Sequence, residues 1–264
     1  MRELTDKVVL ITGAGSGIGD AVARRFAAQG AKVGVTGRRE APLKELAKEI
    51  GALSLPGDVS DRATVEKTVQ RLVKEFGGLD IVVNNAGIAV IGDIEQISDE
   101  DWASVMDINL NGTRLVMRAV LPHLRARGGG AVVNISSIGA LFAARHNAVY
   151  GTAKAALLAL TKALARDGGP DGIRVNAVCP GWVDTPMVDP LLQMLSKERG
   201  ITLDAARSLL VQFNPLNRMG RPEEIARCVE FLATDAASFV TGAVLMADGG
   251  QSIVDVGTLA FAPR

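Results

Sequence analysis

The chain is short of cysteine, of net charge and of long apolar runs, and each shortage removes a class of function. Of its 264 residues only Cys179 and Cys228 are cysteines, and there is no CxxC pair and no Cys/His cluster. Two such residues build neither a disulfide framework nor a structural zinc site. Both are expected to be buried thiols in a reducing compartment, and no metal is expected. Lys plus Arg and Asp plus Glu number 29 each, so the formal net charge is +0. A balanced chain has no field that would draw nucleic acid or an anionic membrane surface. Val8-Val9-Leu10-Ile11, which follows Arg2, Glu3, Asp6 and Lys7, is too short for a secretory core, and no stretch approaches a membrane span. The expectation is a cytoplasmic protein with a small-molecule substrate, no nucleic-acid partner and no membrane partner.

Core-forming sequence, by contrast, is plentiful: 48% of the residues are hydrophobic, enough to bury a large interior. Short Val- and Ile-rich runs lie at Val8–Thr12, Lys32–Thr36, Ile81–Val83, Ala131–Ile135, Arg174–Val178 and Ala243–Met246, with a weaker one at Ala52–Leu55. Helical periodicity fills the intervals at Ile18–Gln29, Leu43–Ile50, Ala63–Phe76, Glu100–Arg127, Tyr150–Arg166 and Glu223–Ala233. Strands apolar on both faces and separated by helices make a parallel sheet covered on each side. The predicted fold is therefore α/β, one Rossmann-type doubly wound parallel sheet of about seven strands in a single domain over 1–264. Gly34, inside the second strand, marks a close helix approach. Residues 184–217 stand outside the alternation and read either as a substrate-binding lid or as packed surface helix.

Thr12-Gly13-Ala14-Gly15-Ser16-Gly17-Ile18-Gly19 follows the first strand and opens a helix. Glycines there let backbone N–H groups approach a pyrophosphate at the positive helix end. The spacing is GxxxGxG rather than GxGxxG, because Ile18 occupies the third glycine's place. Twenty residues beyond Gly17, where a ribose-binding acid would sit for NAD, the chain has Gly37 followed by Arg38 and Arg39. An arginine neutralises the 2′-phosphate of NADP, so NADP(H) is preferred over NAD(H), with Arg38 as the contact.

Tyr150 and Lys154 are spaced i, i+4 and share one helix face. A phenol with a pKa of about 10 needs a neighbouring cation to move protons near neutrality. Tyr150 is the only tyrosine in the chain. Thirteen residues before it, Asn134-Ile135-Ser136-Ser137 ends a strand and presents hydroxyls to the crevice where doubly wound sheets bind ligands. Asn84-Asn85-Ala86-Gly87 follows the fourth strand, and Asn109-Leu110-Asn111-Gly112 lies in the long helical region behind it.

With these motifs in this order, the chain resembles the short-chain dehydrogenase/reductase family over essentially its whole length. The resemblance makes Asn109, Ser137, Tyr150 and Lys154 the catalytic set. It assigns the loop residues Gly13, Gly15, Ser16, Gly17, Ile18 and Gly19 to the cofactor. Asp58 and Val59 fall in the adenine segment, Asn85, Ala86 and Gly87 in the NNAG segment. Pro180, Gly181, Val183 and Thr185 fall where the nicotinamide is held, and Tyr150 and Lys154 also touch the cofactor. Asp248-Gly249-Gly250 matches a structural segment. The implied reaction interconverts a ketone and a secondary alcohol, in the first instance as an NADPH-dependent carbonyl or 3-oxoacyl-type reductase. An NAD-dependent sugar, steroid or hydroxy-acid dehydrogenase, or an inactive nucleotide-binding regulator, remain as alternatives. Tyr150–Arg166 is apolar on nearly every side, which predicts burial against a twin helix in a homotetramer or homodimer.

His123 and His146 have no carboxylate beside them in sequence; His123 reads as surface and His146 as lying near the pocket mouth. Trp182 has a better claim to the pocket than Trp102. Arg145 would suit an anionic substrate group, whereas the apolar residues from Met187 to Leu195 suit a non-polar one.

Overall fold

The seven apolar runs pair side by side as parallel strands in a computed structural model that describes residues 4–255 and 257. Met1 to Glu3 and the far end of the 1–264 span lie outside the described residues. The strands are β1 (Val8–Thr12), β2 (Lys32–Gly37), β3 (Leu53–Pro56), β4 (Ile81–Asn84), β5 (Gly130–Ile135), β6 (Ile173–Pro180) and β7 (Val244–Ala247). Their order across the sheet is β3-β2-β1-β4-β5-β6-β7. The winding reverses between β1 and β4, and that junction opens a crevice at the strands' carboxyl ends. This is the fold of the family that the motifs resemble, including the weak strand at Ala52–Leu55.

β1 is buried along its whole length, and its residues alternate between two cores. Val9 and Ile11 join Val22 and Phe26 of α1 (Gly17–Ala28), Leu43 and Leu46 of α2 (Glu40–Ile50) and Val229 of α9 (Pro222–Ala233). Val8 and Leu10 join Val69 and Leu72 of α3 (Arg62–Phe76) and Val116 and Val120 of α5 (Gly112–Ala126). Each such side chain contributes about 1.5–3 kcal/mol on full burial, which fixes the register that aligns the strand ends. Gly34 is small because α3 crosses it: a Cβ there would sit 2.2 Å from Leu72 Cδ1.

Two expectations, the single long helix and the burial of both cysteines, are corrected. The helix predicted over Glu100–Arg127 is divided into α4 (Asp99–Met106) and α5 by a wide π turn, Asp107–Asn111. No period signals such a turn, because the apolar pattern continues through it. Cys179 is buried, but Cys228 is only half-buried. Residues 184–217 form two helices, α7 (Asp189–Arg199) and α8 (Leu203–Val211), hinged at Gly200, which has φ +63°. Leu192 and Val211 are buried there while Met187 and Met194 face outward.

The long helix α6 (Ala148–Gly168) buries Val149, Ala153, Lys154, Leu157, Leu158 and Thr161, and leaves Ala155, Ala159 and Ala163 exposed on its outer face. No helix among the described residues is long and apolar enough to cross a membrane, and none of their His, Cys, Asp and Glu side chains group to hold a metal.

Candidate active site

β1 hands the chain to α1 through the glycine loop. Gly13 takes φ +66°, and a Cβ on it would lie 2.7 Å from Ala86 Cα; Gly17 takes φ +60° against Thr185. Both the backbone conformation and the close approach exclude a side chain. Ser16 is the N-cap of α1, but its hydroxyl caps no helical N–H, so the donors of the first turn stay available to an anion. The Ser16 hydroxyl instead accepts from Arg39 Nη2 at 2.8 Å. Thr12 binds the loop to the next segment: its Oγ1 accepts from Asn85 N and Ala86 N, each at 3.0 Å.

The crevice beside this loop is lined by Gly13, Gly15, Arg38, Asp58, Val59, Ala86 and Gly87, all expected from the sequence, and by Gly37, Arg39, Gly57, Ile88 and Ile108. Other residues expected at the cofactor lie outside this lining. The Asn85 amide is spent on the Thr12 and Gly13 carbonyls at 3.0 Å each, so it braces the loop from behind. Gly19 is buried against that amide, and the Val183 side chain lies in the core with Val183 bridged to Gly220. Ile18 packs on the same core. Gly181 is pressed on Asp248, with room for no Cβ.

The π turn sets Asn109. Its side chain is fully buried and clasps one residue in both directions, accepting from Ile88 N at 2.9 Å and donating to Ile88 O at 2.8 Å. Gly87 sits directly above, so that a Cβ on it would lie 2.8 Å from Asn109 Oδ1 and 3.4 Å from Lys154 Nζ. Asn109, Gly87 and Lys154 thus converge from π turn, loop and helix.

The two serines at the end of β5 separate by role. Ser136 Oγ donates to Lys154 O at 3.0 Å and pins α6 to the sheet. Ser137 Oγ accepts from Gly139 N at 3.1 Å and hydrogen-bonds the Tyr150 phenol. Lys154 is 4% exposed; its Nζ donates to Ile135 O at 2.8 Å and stands 5.7 Å from the centre of the Tyr150 ring. Burial lowers the Lys154 pKa to about 8, against a smaller opposing pull from Cys179. Burial likewise pushes the Tyr150 phenol above its usual value, and the hydrogen bond from Ser137 pulls it partly back. Desolvation therefore sets the direction at Tyr150, and the phenol lies above its usual value rather than below it.

His146 is the residue that sequence reasoning left without a carboxylate. The fold supplies one from another loop, with His146 Nδ1 2.9 Å from Asp93 Oδ1. A pairing across 53 residues carries no local signal.

A family model described as enoyl-(acyl carrier protein) reductase matches residues 13–252. The chain belongs to the short-chain dehydrogenase/reductase family. Two curated members similar to it carry different names. It is 37% identical to the 3-oxoacyl-(acyl-carrier-protein) reductase FabG of Thermotoga maritima over 257 residues, covering 95% of this chain and 99% of that one. It is 39% identical to cis-4-hydroxycyclohexanecarboxylate dehydrogenase of Sinomonas cyclohexanicum over 255 residues, covering 94% and 98%. Among solved structures, levodione reductase superposes with a TM-score of 0.91 at 37% identity, covering 96% of this chain and 100% of that one. As a short-chain dehydrogenase/reductase it is an oxidoreductase acting on CH–OH groups with NAD(P)(H). Its crevice fits a dinucleotide, because Gly13 and Gly15 leave the floor bare of side chains and the uncapped first turn of α1 opens onto it.

Proposed function

We propose that the protein is an NADPH-dependent reductase of non-polar ketones, of the carbonyl or 3-oxoacyl type. The observation that carries this reading is the Tyr150 phenol, hydrogen-bonded to Ser137 at the carboxyl edge of the sheet, one helical turn from the buried Lys154. A bound reduced nicotinamide supplies hydride to the carbonyl carbon. The chain does the rest. Tyr150 gives its proton to the carbonyl oxygen, and Ser137 donates a hydrogen bond to that oxygen as charge builds on it. The Lys154 ammonium lowers the cost of leaving a phenolate behind and holds the nicotinamide ribose. The Asn109 backbone carbonyl, in a turn whose helical hydrogen bonds are shifted by a residue, holds a water that returns a proton through Lys154. Pro180, Gly181 and Thr185 would hold the nicotinamide.

NADPH is favoured because no acid stands at Gly37 and two arginines follow it. Arg39 lies across the loop on Ser16, beside Arg38, in position to share a 2′-phosphate. A hydrogen bond to a charged group is worth about 1.5–3 kcal/mol, so Arg38→Ala and Arg39→Ala should each raise the NADPH KM by roughly 10- to 100-fold and leave NADH use unchanged. Wild-type protein that prefers NADH, or variants indifferent to the phosphate, would remove this assignment.

Substrate class follows from the rim. Ile94, Leu141, Phe142 and Met187 are apolar and exposed on the segments that follow Gly87, Ser137 and Thr185. We read 184–217 as a lid within one domain of 1–264: Arg207 on α8 ion-pairs with Asp184, next to Thr185. The exposed alanine face of α6 and the half-buried edge strand β7 suit pairing with further copies, as a homotetramer measurable by sedimentation equilibrium. The direct experiment is NADPH oxidation, followed by absorbance, with an acetoacetyl thioester, cyclohexanone and 2-octanone. Turnover of at least one supports the reductase. NADPH binding with no turnover marks a regulator, and activity only as an NAD-dependent oxidation of the alcohols marks a dehydrogenase.

A further inference from the structure

Three non-glycine residues among those described have positive φ: Asp6, Asn217 and His146, the last at +59°. Only His146 stands beside the site, four residues before Tyr150. A left-handed backbone crowds any Cβ, so glycine or asparagine would hold this place at lower cost. Two contacts retain His146 in it. Gly92 N donates to His146 O at 3.1 Å, and the His146 ring meets Asp93 at 2.9 Å. Gly92 also forms an isolated bridge with Asn147.

Asp93 is itself held still. Its carbonyl accepts from Gln96 N at 2.8 Å and Ile97 N at 3.2 Å, and its own N–H donates to Gln96 Oε1 at 3.3 Å. The loop that leaves Gly87 and Ile88 is therefore stapled to the residues that start α6. α6 needs such support, because Asn147, its N-cap, supplies no side-chain hydrogen bond to the first turn. Beneath the staple Val149 and Ala153 of α6 pack with Ile88, Val90, Ile97 and Trp102, so loop and helix share a small core of their own.

We propose that His146 and Asp93 form a positioning clasp that closes the β4–α4 loop on the first turn of α6 and so fixes where Tyr150 meets the substrate carbonyl. The proposal rests on the reductase reading for its catalytic consequence. Neither partner touches the reacting atoms. Both side chains are partly exposed, so their pairing adds little to global stability and its effect is local. A strained residue retained beside an active site is the pattern expected of such a device.

The test compares His146→Ala, Asp93→Ala, the double variant and His146→Asn, each as the full-length protein. Asparagine accepts the left-handed backbone but lacks the imidazole's reach, so it separates strain from clasp. Hydrogen exchange of the 88–97 amides should quicken about 2- to 5-fold in all four, as local opening costs less without the clasp. The KM of the best ketone of the panel should rise roughly 5-fold, the NADPH KM should stay within about two-fold, and the double variant should be no worse than either single one. Unchanged exchange, additive effects, wild-type substrate KM or wild-type behaviour of His146→Asn each overturn the clasp. A fall in Tm with a parallel rise in NADPH KM overturns it too, by showing a general structural role. The exchange measurement needs no turnover, so a failed reductase reading, with no ketone reduced, is seen separately.

Discussion

Tyr150→Phe should lower kcat for ketone reduction by about 10³-fold while the NADPH dissociation constant stays within about two-fold. The variant removes one oxygen and no packing. General acid catalysis contributes roughly 10²–10⁴-fold, or about 3–5 kcal/mol of barrier. No other acid is placed to substitute: Ser137 is too weak, His146 is engaged with Asp93, and Cys179 is pushed up by burial. The raised phenol has a further consequence. It keeps Tyr150 protonated through neutral pH, which suits donation to a carbonyl and so the reductive direction. Single-turnover measurement at saturating NADPH checks the loss, and fluorescence titration checks cofactor binding. Turnover above a tenth of wild type would remove Tyr150 from the chemistry.

Lys154→Met should abolish turnover to a similar degree and, unusually for a core substitution, make the fold more stable. The lysine is 4% exposed, and burial holds its pKa at about 8 against 10.5 for the free side chain. The sign follows from proton counts. Below about pH 8 both folded and unfolded chains carry the proton, and the folded chain bears the full cost of an ammonium away from water. Between about 8 and 10.5 the unfolded chain binds more protons than the folded one, so stability rises with pH and the penalty fades. Removing the charge relieves an order of about 3 kcal/mol near neutrality, and the Ile135 carbonyl left without its donor offsets much of it. A net gain of about 1 kcal/mol raises Tm by roughly 2–4 °C in a chain of this size. In the wild type the same group should make ketone reduction fall as pH rises through about 8. Scanning calorimetry at pH 7 and a pH–rate profile check both statements. A lower Tm sinks the desolvation argument, and retained activity sinks the catalytic one.

Sequence alone carried the positions of the strands, because strands buried on both faces need continuous Val and Ile runs, and every one of the seven runs became a strand; their order across the sheet came from the structure. It also carried the glycine loop and the Tyr150–Lys154 pair, since backbone clearance and helical periodicity are local properties. Arg39's reach to Ser16 was half visible, as one of two adjacent arginines whose directions a sequence leaves open. The division of Ser136 from Ser137 was visible only as spacing to Tyr150, and became physical once one hydroxyl faced Lys154 O and the other the phenol.

What tertiary structure decided depends on partners far apart in the chain. The π turn that buries Asn109 against Ile88, the Asn85 amide turned inward to the loop, and the meeting of His146 with Asp93 each join segments that no window of sequence contains. The balance of pKa values at Tyr150 and Lys154 belongs here as well. Residue type set which groups could ionise, but desolvation depends on how many atoms crowd each one, and only the packed chain fixes that.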